Sequence, residues 1–118
     1  MAHDIRLFVY GSLKLGFRHE NMLAGALRAG SAVAAPFILV RYGEYPALVP
    51  AAHGLVHGEV AFVDRGLLSV LDEFEGCPTL YQRHTIRLVD GSEAEAYLIS
   101  AEVAREYPPV ADGIWRED

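Results

Sequence analysis

The chain has 118 residues, 52% hydrophobic and 22% charged, with a formal charge of −6. That length suits one domain able to bury roughly two thirds of its unfolded surface, and the composition excludes a disordered chain. No apolar run reaches the roughly 18 residues of a membrane span, and a single lysine, Lys14, with no basic cluster argues against nucleic acid as a partner.

In chain order, IRLFVY at 5–10 alternates Ile5, Leu7 and Val9 against Arg6, Phe8 and Tyr10, apolar on both faces, which predicts a central strand. The strand runs into the corner Gly11-Ser12-Leu13-Lys14. From about His19 to Arg28, Met22, Leu23, Ala26 and Leu27 stand at helical spacing with Gly30 as a stop, so a short helix is expected there. SAVAAPFILVRY reads as extended chain interrupted by Pro36, followed by the turn GEYP at 43–46, where the Tyr45-Pro46 bond can be cis or trans, and by a brief strand ALVP. GLVHGEVAFV at 54–63 is a further strand, in which Gly58 marks a bulge or a close approach of backbones.

Asp64 offers an N-cap. From Arg65 to Glu75, Leu67, Val70, Leu71 and Phe74 follow a helical period, and Gly76 with Pro78 supplies the stop. LYQRHTIRLV and EAEAYLI flank Asp90-Gly91 and read as an antiparallel hairpin. In the tail, Val103 and Tyr107 are placed on one face of a short helix ended by Pro108. MAHDIRLF lacks the basic segment and long apolar core of a secretory signal, and the lone Cys77 has no internal disulfide partner, so a soluble, cytoplasmic protein away from the membrane is expected.

The residue that points to chemistry is Glu75, in LDEFEG at 71–76. At about 100° per residue with Leu67 at 0°, it falls at about 80°, between Leu71 and Leu68, whereas Glu73 at about 240° joins the polar side and Asp72 lies at the border. An inward carboxylate at a helix C-terminus loses hydration and meets the negative end of the helix dipole, and both raise its pKa toward the range useful for general acid and base work. A glutamate that swings to solvent or pairs with an arginine explains the same position from the helix alone.

VYGSLK near the N-terminus, GEYPALVP in the middle and LDEFEGCPTLYQR later are, in that order and spacing, similar to the γ-glutamylcyclotransferase-like family, and most to its γ-glutamylamine cyclotransferase and AIG2-like branch. The resemblance runs from Leu7 to about Leu98, with a looser echo in Gly113-Ile114-Trp115. It implies a compact α+β domain with a mixed, barrel-like sheet and peripheral helices, and a cofactor-free reaction on a small γ-glutamyl amide. In that reaction the substrate's α-amino group attacks its own γ-carbonyl, releasing 5-oxoproline and an amine. Glu75 matches the family's catalytic glutamate. The YGSL turn, Tyr10, Gly11, Ser12 and Leu13, matches the segment that cradles the glutamyl α-carboxylate, and Tyr81 matches a tyrosine beside the substrate. Two rivals remain: a noncatalytic small-molecule binding module of the same fold, and an enzyme removing a γ-glutamyl group within a biosynthetic pathway. The oligomeric state is not legible.

Other signals carry less. Ser12 lies outside a G-x-S-x-G motif, and no Asp and His can be assigned to it by spacing. His53 and His57, four residues apart on a strand, stand roughly 13 Å from each other, so no metal site is expected. Cys77 is expected as an ordinary small residue of the pocket wall, and Glu44 and Glu59 as solvent-facing or hydrogen-bonded structural groups.

Overall fold

The computed structural model describes residues 4–77 and 79–117; Pro78, expected in the helix stop, lies outside the described residues. Seven strands form one mixed sheet: β1 (Ile5–Val9), β2 (Leu27–Ala34), β3 (Phe37–Tyr42), β4 (Tyr45–Pro50), β5 (Val56–Val63), β6 (Gln82–Arg87) and β7 (Glu93–Leu98). The order is β2-β5-β1-β7-β4-β3, with β6 on the other side of β7. β1 is central, antiparallel to β5 and parallel to β7, while β7 also meets β4 in parallel through Leu98 and Leu48. A bridge between Ala34, at the end of β2, and Leu88, just beyond β6, joins these two edges and curls the sheet into a barrel-like shell.

The alternation in β1 does what its two apolar faces require. Leu7 and Val9 pack into a cluster that includes Leu23, Leu68, Leu71 and Ala104, so this face lies under the helical segments. Phe8 and Tyr10 join a second cluster drawn from all seven strands, the inside of the curl, closed by Trp115. Helix α1 (Arg65–Phe74) starts as expected, the Asp64 side chain accepting a hydrogen bond from Leu67 N at 2.7 Å. It rests on Leu68 and Leu71, whereas Val70, expected inward, is exposed.

The segment 19–28 corrects the sequence reading. Only Glu20–Leu23 is helical, as one 3-10 turn, and Leu27 and Arg28 already belong to β2, paired with Phe62 and Ala61 of β5. Arg28 anchors that pairing: its guanidinium donates to Glu59 Oε1 and to the Leu13 and Glu20 carbonyls, contacts a helix would forfeit. The expected stop, Gly30, sits inside β2 at an irregularity in register. Gly58 is a point of close approach, since a side chain there would run into the Val9 carbonyl and the Phe8 ring. The cis bond among the described residues is Ala35-Pro36, not Tyr45-Pro46. The tail helix, α2 (Ala101–Ala104), is shorter than expected and buries Ala104 while Val103 is exposed. Beyond it the chain lies along the outer side of β3, with Arg41 N donating to Pro108 O and Val110 N to Leu39 O. No helix among the described residues is long and apolar enough to cross a membrane.

Candidate active site

A cavity of about 190 Å³ opens where the C-terminal end of β1 meets the C-terminal end of α1. Its lining takes Tyr10 to Leu13 from the corner after β1, Tyr45 and Pro46 from the start of β4, Phe74 and Glu75 from the end of α1, Leu80 and Tyr81 from the approach to β6, and Tyr97 from β7. All six residues singled out in the sequence, Glu75, Tyr10, Gly11, Ser12, Leu13 and Tyr81, therefore face one space, although 65 positions separate the two motifs.

Glu75 is aimed by the way its helix ends. Gly76 takes φ +72°, Gly76 N donates to Glu73 O and Cys77 N to Asp72 O, so the chain reverses immediately after Glu75 in a Schellman arrangement that glycine admits without strain. The carboxylate is left half-buried, facing the cavity rather than continuing a solvated helix, while Glu73 on the same turn is exposed. Loss of hydration pushes its pKa up to about 7. It finds no cation and no hydrogen-bond donor among the described residues, and no Arg, Lys or His lines the cavity.

The corner opposite is built by contact. A side chain at Gly11 would place its Cβ 2.5 Å from Pro46 Cγ, so glycine lets the corner close against the start of β4. The corner's own hydrogen bonds, Lys14 N to Gly11 O at 3.0 Å and His19 N to Ser12 O at 2.8 Å, use carbonyls, and none of them uses the amides of the buried residues Gly11, Ser12 and Leu13. N–H groups outside the protein's hydrogen bonding invite an acceptor from a ligand. Lys14 fixes the far side of the corner, its Nζ donating to Trp115 O at 3.0 Å and lying 4.3 Å from the centre of the Phe17 ring.

Three of the four tyrosines in the lining, Tyr10, Tyr81 and Tyr97, point their hydroxyls into the protein. Tyr10 donates to Tyr97 O at 2.6 Å, Tyr81 to Pro46 O at 2.9 Å and Tyr97 to Asp72 Oδ1 at 2.8 Å. Burial above all pushes each of their pKa values up, with the nearby Glu75 charge adding to it. They remain neutral rings, and Glu75 is the group in this lining that titrates near neutrality.

Two contacts were not legible in the sequence. Arg83, in LYQR, grips Asp72 with Nε at 2.8 Å and Nη2 at 3.2 Å and reaches Glu95 with Nη1 at 2.6 Å, tying the last turn of α1 to β6 and β7. His19 Nδ1 shares a hydrogen bond with Ser12 Oγ at 3.0 Å, and its ring packs edge-on to Phe74 at 5.1 Å. That pairing lacks the acid of a triad, since no carboxylate among the described residues partners His19. His53 and His57 are exposed, and among the described residues no group of three or more His, Cys, Asp or Glu converges on a metal position. Burial and the neighbouring Asp72 and Glu75 charges push the Cys77 thiol up, away from a reactive thiolate. Glu59 accepts from Leu15 N and Arg28, and Glu44 stands exposed 4.0 Å from Arg18.

The family model described as "Gamma-glutamyl cyclotransferase, AIG2-like" matches residues 7–117. A human protein named gamma-glutamylaminecyclotransferase is 41% identical over 92 residues, 70% of this chain and 60% of that protein, so the chain spans about three fifths of that relative's length. A Vibrio cholerae protein named putative gamma-glutamylcyclotransferase is 36% identical over 110 residues, 92% of this chain and 93% of that one. The crystal structure of a mouse AIG2-like protein superposes with a TM-score of 0.79 at 30% identity, covering 97% of this chain and 95% of that one. A protein from Pyrococcus horikoshii, at 22% identity and a TM-score of 0.78, shares the fold. The curled mixed sheet and the motifs gathered at its cavity thus go with a match along almost the whole sequence, and the chain belongs to the AIG2-like γ-glutamyl cyclotransferase family.

Proposed function

We propose that this protein is a cofactor-free cyclotransferase that converts a γ-glutamyl amine into 5-oxoproline and the free amine, with Glu75 as both general base and general acid. The observation that carries the reading is the juxtaposition of one desolvated carboxylate with the backbone amides of a buried corner across a cavity of amino-acid size. The corner at Gly11 to Leu13, with the Ser12 hydroxyl, holds the α-carboxylate of the glutamyl group. Tyr10 and Tyr81 supply ring surface that keeps the glutamyl chain bent.

Glu75 then takes a proton from the α-amino nitrogen, the nitrogen lone pair forms the ring C–N bond at the γ-carbonyl, and the amide C–N bond breaks as Glu75 returns the proton to the departing nitrogen. No water is consumed. Attack within one molecule needs no protein nucleophile, because orientation alone supplies effective molarities on the order of 10⁵ to 10⁸ M. A carboxyl near pKa 7 is matched to the task, since it is ionised enough to accept from an amine and still protonates the leaving group.

The test is incubation with a panel of γ-glutamyl amides and detection of 5-oxoproline. Glu75→Gln keeps the shape and removes the titrating group, so release should fall roughly 10²- to 10⁴-fold while substrate binding persists. Glu73→Gln, on the exposed side of the same turn, should leave the rate near wild type. The wild-type kcat/KM should rise as pH rises through about 7, where Glu75 ionises. Equal activity in the two variants would refute the role of Glu75, and binding of the amides without any 5-oxoproline would mark a binding module.

A further inference from the structure

We infer that His19 is a positioning residue for the proposed reaction: its Nδ1 donates to Ser12 Oγ and so turns the serine's single hydroxyl proton toward the glutamyl α-carboxylate. This rests on the carboxylate-binding role given above to the corner at Gly11 to Leu13, and adds the residue that orients the corner's one side-chain donor. Ser12 lines the cavity and is 9% exposed, while His19 stands outside the lining, half-buried behind it. The two residues meet twice. His19 N donates to Ser12 O at 2.8 Å, and Nδ1 lies 3.0 Å from Ser12 Oγ. The backbone bond closes the loop 12–19 and already holds the two residues side by side, so the side-chain contact needs little further ordering.

A serine hydroxyl carries one proton and accepts through its lone pairs. Were Nδ1 the acceptor, that proton would be spent on the imidazole, and Oγ would show only lone pairs to the cavity, where they repel a carboxylate. With the proton on Nδ1 the ring donates, the hydroxyl keeps its own proton for the cavity side, and a chain from N–H to O–H to carboxylate strengthens each bond in it. An anion at the corner therefore selects the second arrangement. The far edge of the ring does not oppose it, since Nε2 has no hydrogen-bond partner among the described residues. The ring is also braced in its pose: it packs edge-on to Phe74 at 5.1 Å and lies 6.2 Å from the Tyr45 ring. Phe74 directly precedes Glu75 and Tyr45 directly precedes Pro46, so the two segments that line the cavity opposite the corner hold the imidazole that orients Ser12.

The test separates the donor from the ring. His19→Phe keeps the aromatic packing and removes Nδ1, whereas His19→Asn keeps an amide N–H at the place of Nδ1 and removes most of the ring. Without Nδ1 the hydroxyl samples three staggered wells at χ1 and a similar set at its own torsion, so His19→Phe should raise both KM for a γ-glutamyl amide and the calorimetric dissociation constant of 5-oxoproline roughly three- to ninefold. kcat should stay within about twofold, because the α-carboxylate is held equally before and during ring closure. His19→Asn should restore most of the affinity. On a Ser12→Ala background His19→Phe should add less than about twofold, and 5-oxoprolinamide, which lacks the anion, should bind the wild type and His19→Phe alike. In nitrogen NMR of the isotope-labelled wild type bound to 5-oxoproline, His19 Nδ1 should carry a proton, a readout independent of how the variants fold. A bare Nδ1 in that complex, unchanged affinity in His19→Phe, or a His19→Asn protein no better than His19→Phe overturns the inference, as does a wild type that does not bind 5-oxoproline. If 5-oxoproline binds with the expected pattern yet no γ-glutamyl amide releases it, the reaction is misassigned while the role of His19 stands.

Discussion

Removing the charge of Glu75 should make the protein more stable, and increasingly so as pH rises. Burial lifts this carboxyl from its ordinary value of 4.5 to about 7, so the folded chain holds its proton more tightly than the unfolded one. Below about pH 4.5 the group is protonated in both states and its contribution is fully present; between 4.5 and 7 the unfolded state gains by ionising first, and that contribution is lost. At about 1.4 kcal/mol per pH unit the difference amounts to about 3 kcal/mol. Glu75→Gln has no such titration. Its stability relative to wild type should therefore grow by about 3 kcal/mol from pH 4.5 to pH 8.5, widening the gap in melting temperature by on the order of 10 °C. Urea unfolding followed through the single buried tryptophan, Trp115, measures both proteins at each pH, and the other titrating groups cancel in the difference. A gap that stays constant with pH would refute the desolvation of Glu75, as would the same slope in Glu73→Gln.

Gly11→Ala should cost about 1–3 kcal/mol and lower activity with it, because the new methyl meets Pro46 at 2.5 Å, and thermal melting reads the first effect. Ser12→Ala at the next position should lower kcat/KM less than about tenfold, since backbone amides do most of the anion binding, whereas complete loss with a covalent adduct on Ser12 in the wild type would instead support serine chemistry. Arg83→Met leaves Asp72 and Glu95 without their shared cation, so melting should shift down, and the pH limb of kcat/KM should move upward as the uncompensated Asp72 charge makes Glu75 harder to ionise.

Much of the site was legible because it depends on local rules. The angle of Glu75 on α1 follows from its position after Leu67, Leu68 and Leu71, and the Gly76 stop is a single-residue signal. The hairpin around Asp90-Gly91 and the two-faced β1 are likewise written in short-range alternation. The segment 19–28 was misread because its apolar spacing fits a helix equally well, and only pairing with β5, more than thirty residues away, decides for strand. The clamp of Arg83 on Asp72 and Glu95 and the contact of His19 with Ser12 join side chains whose types are common on any surface. Distance in space, which no motif encodes, selects them.

The course of residues 108–110 along β3 has a consequence for self-association. β3 ends the sheet's strand order, and the terminal strand of a sheet offers backbone donors and acceptors to any extended chain it meets. Here Leu39 and Arg41 have spent theirs on Val110 and Pro108. The segment opens on a proline pair, Pro108-Pro109, whose second residue brings no amide of its own to its contact with Val40. The fold thus caps its open side with chain that propagates poorly as a strand, and peeling back that cap would turn β3 into a template for stacking one copy on the next.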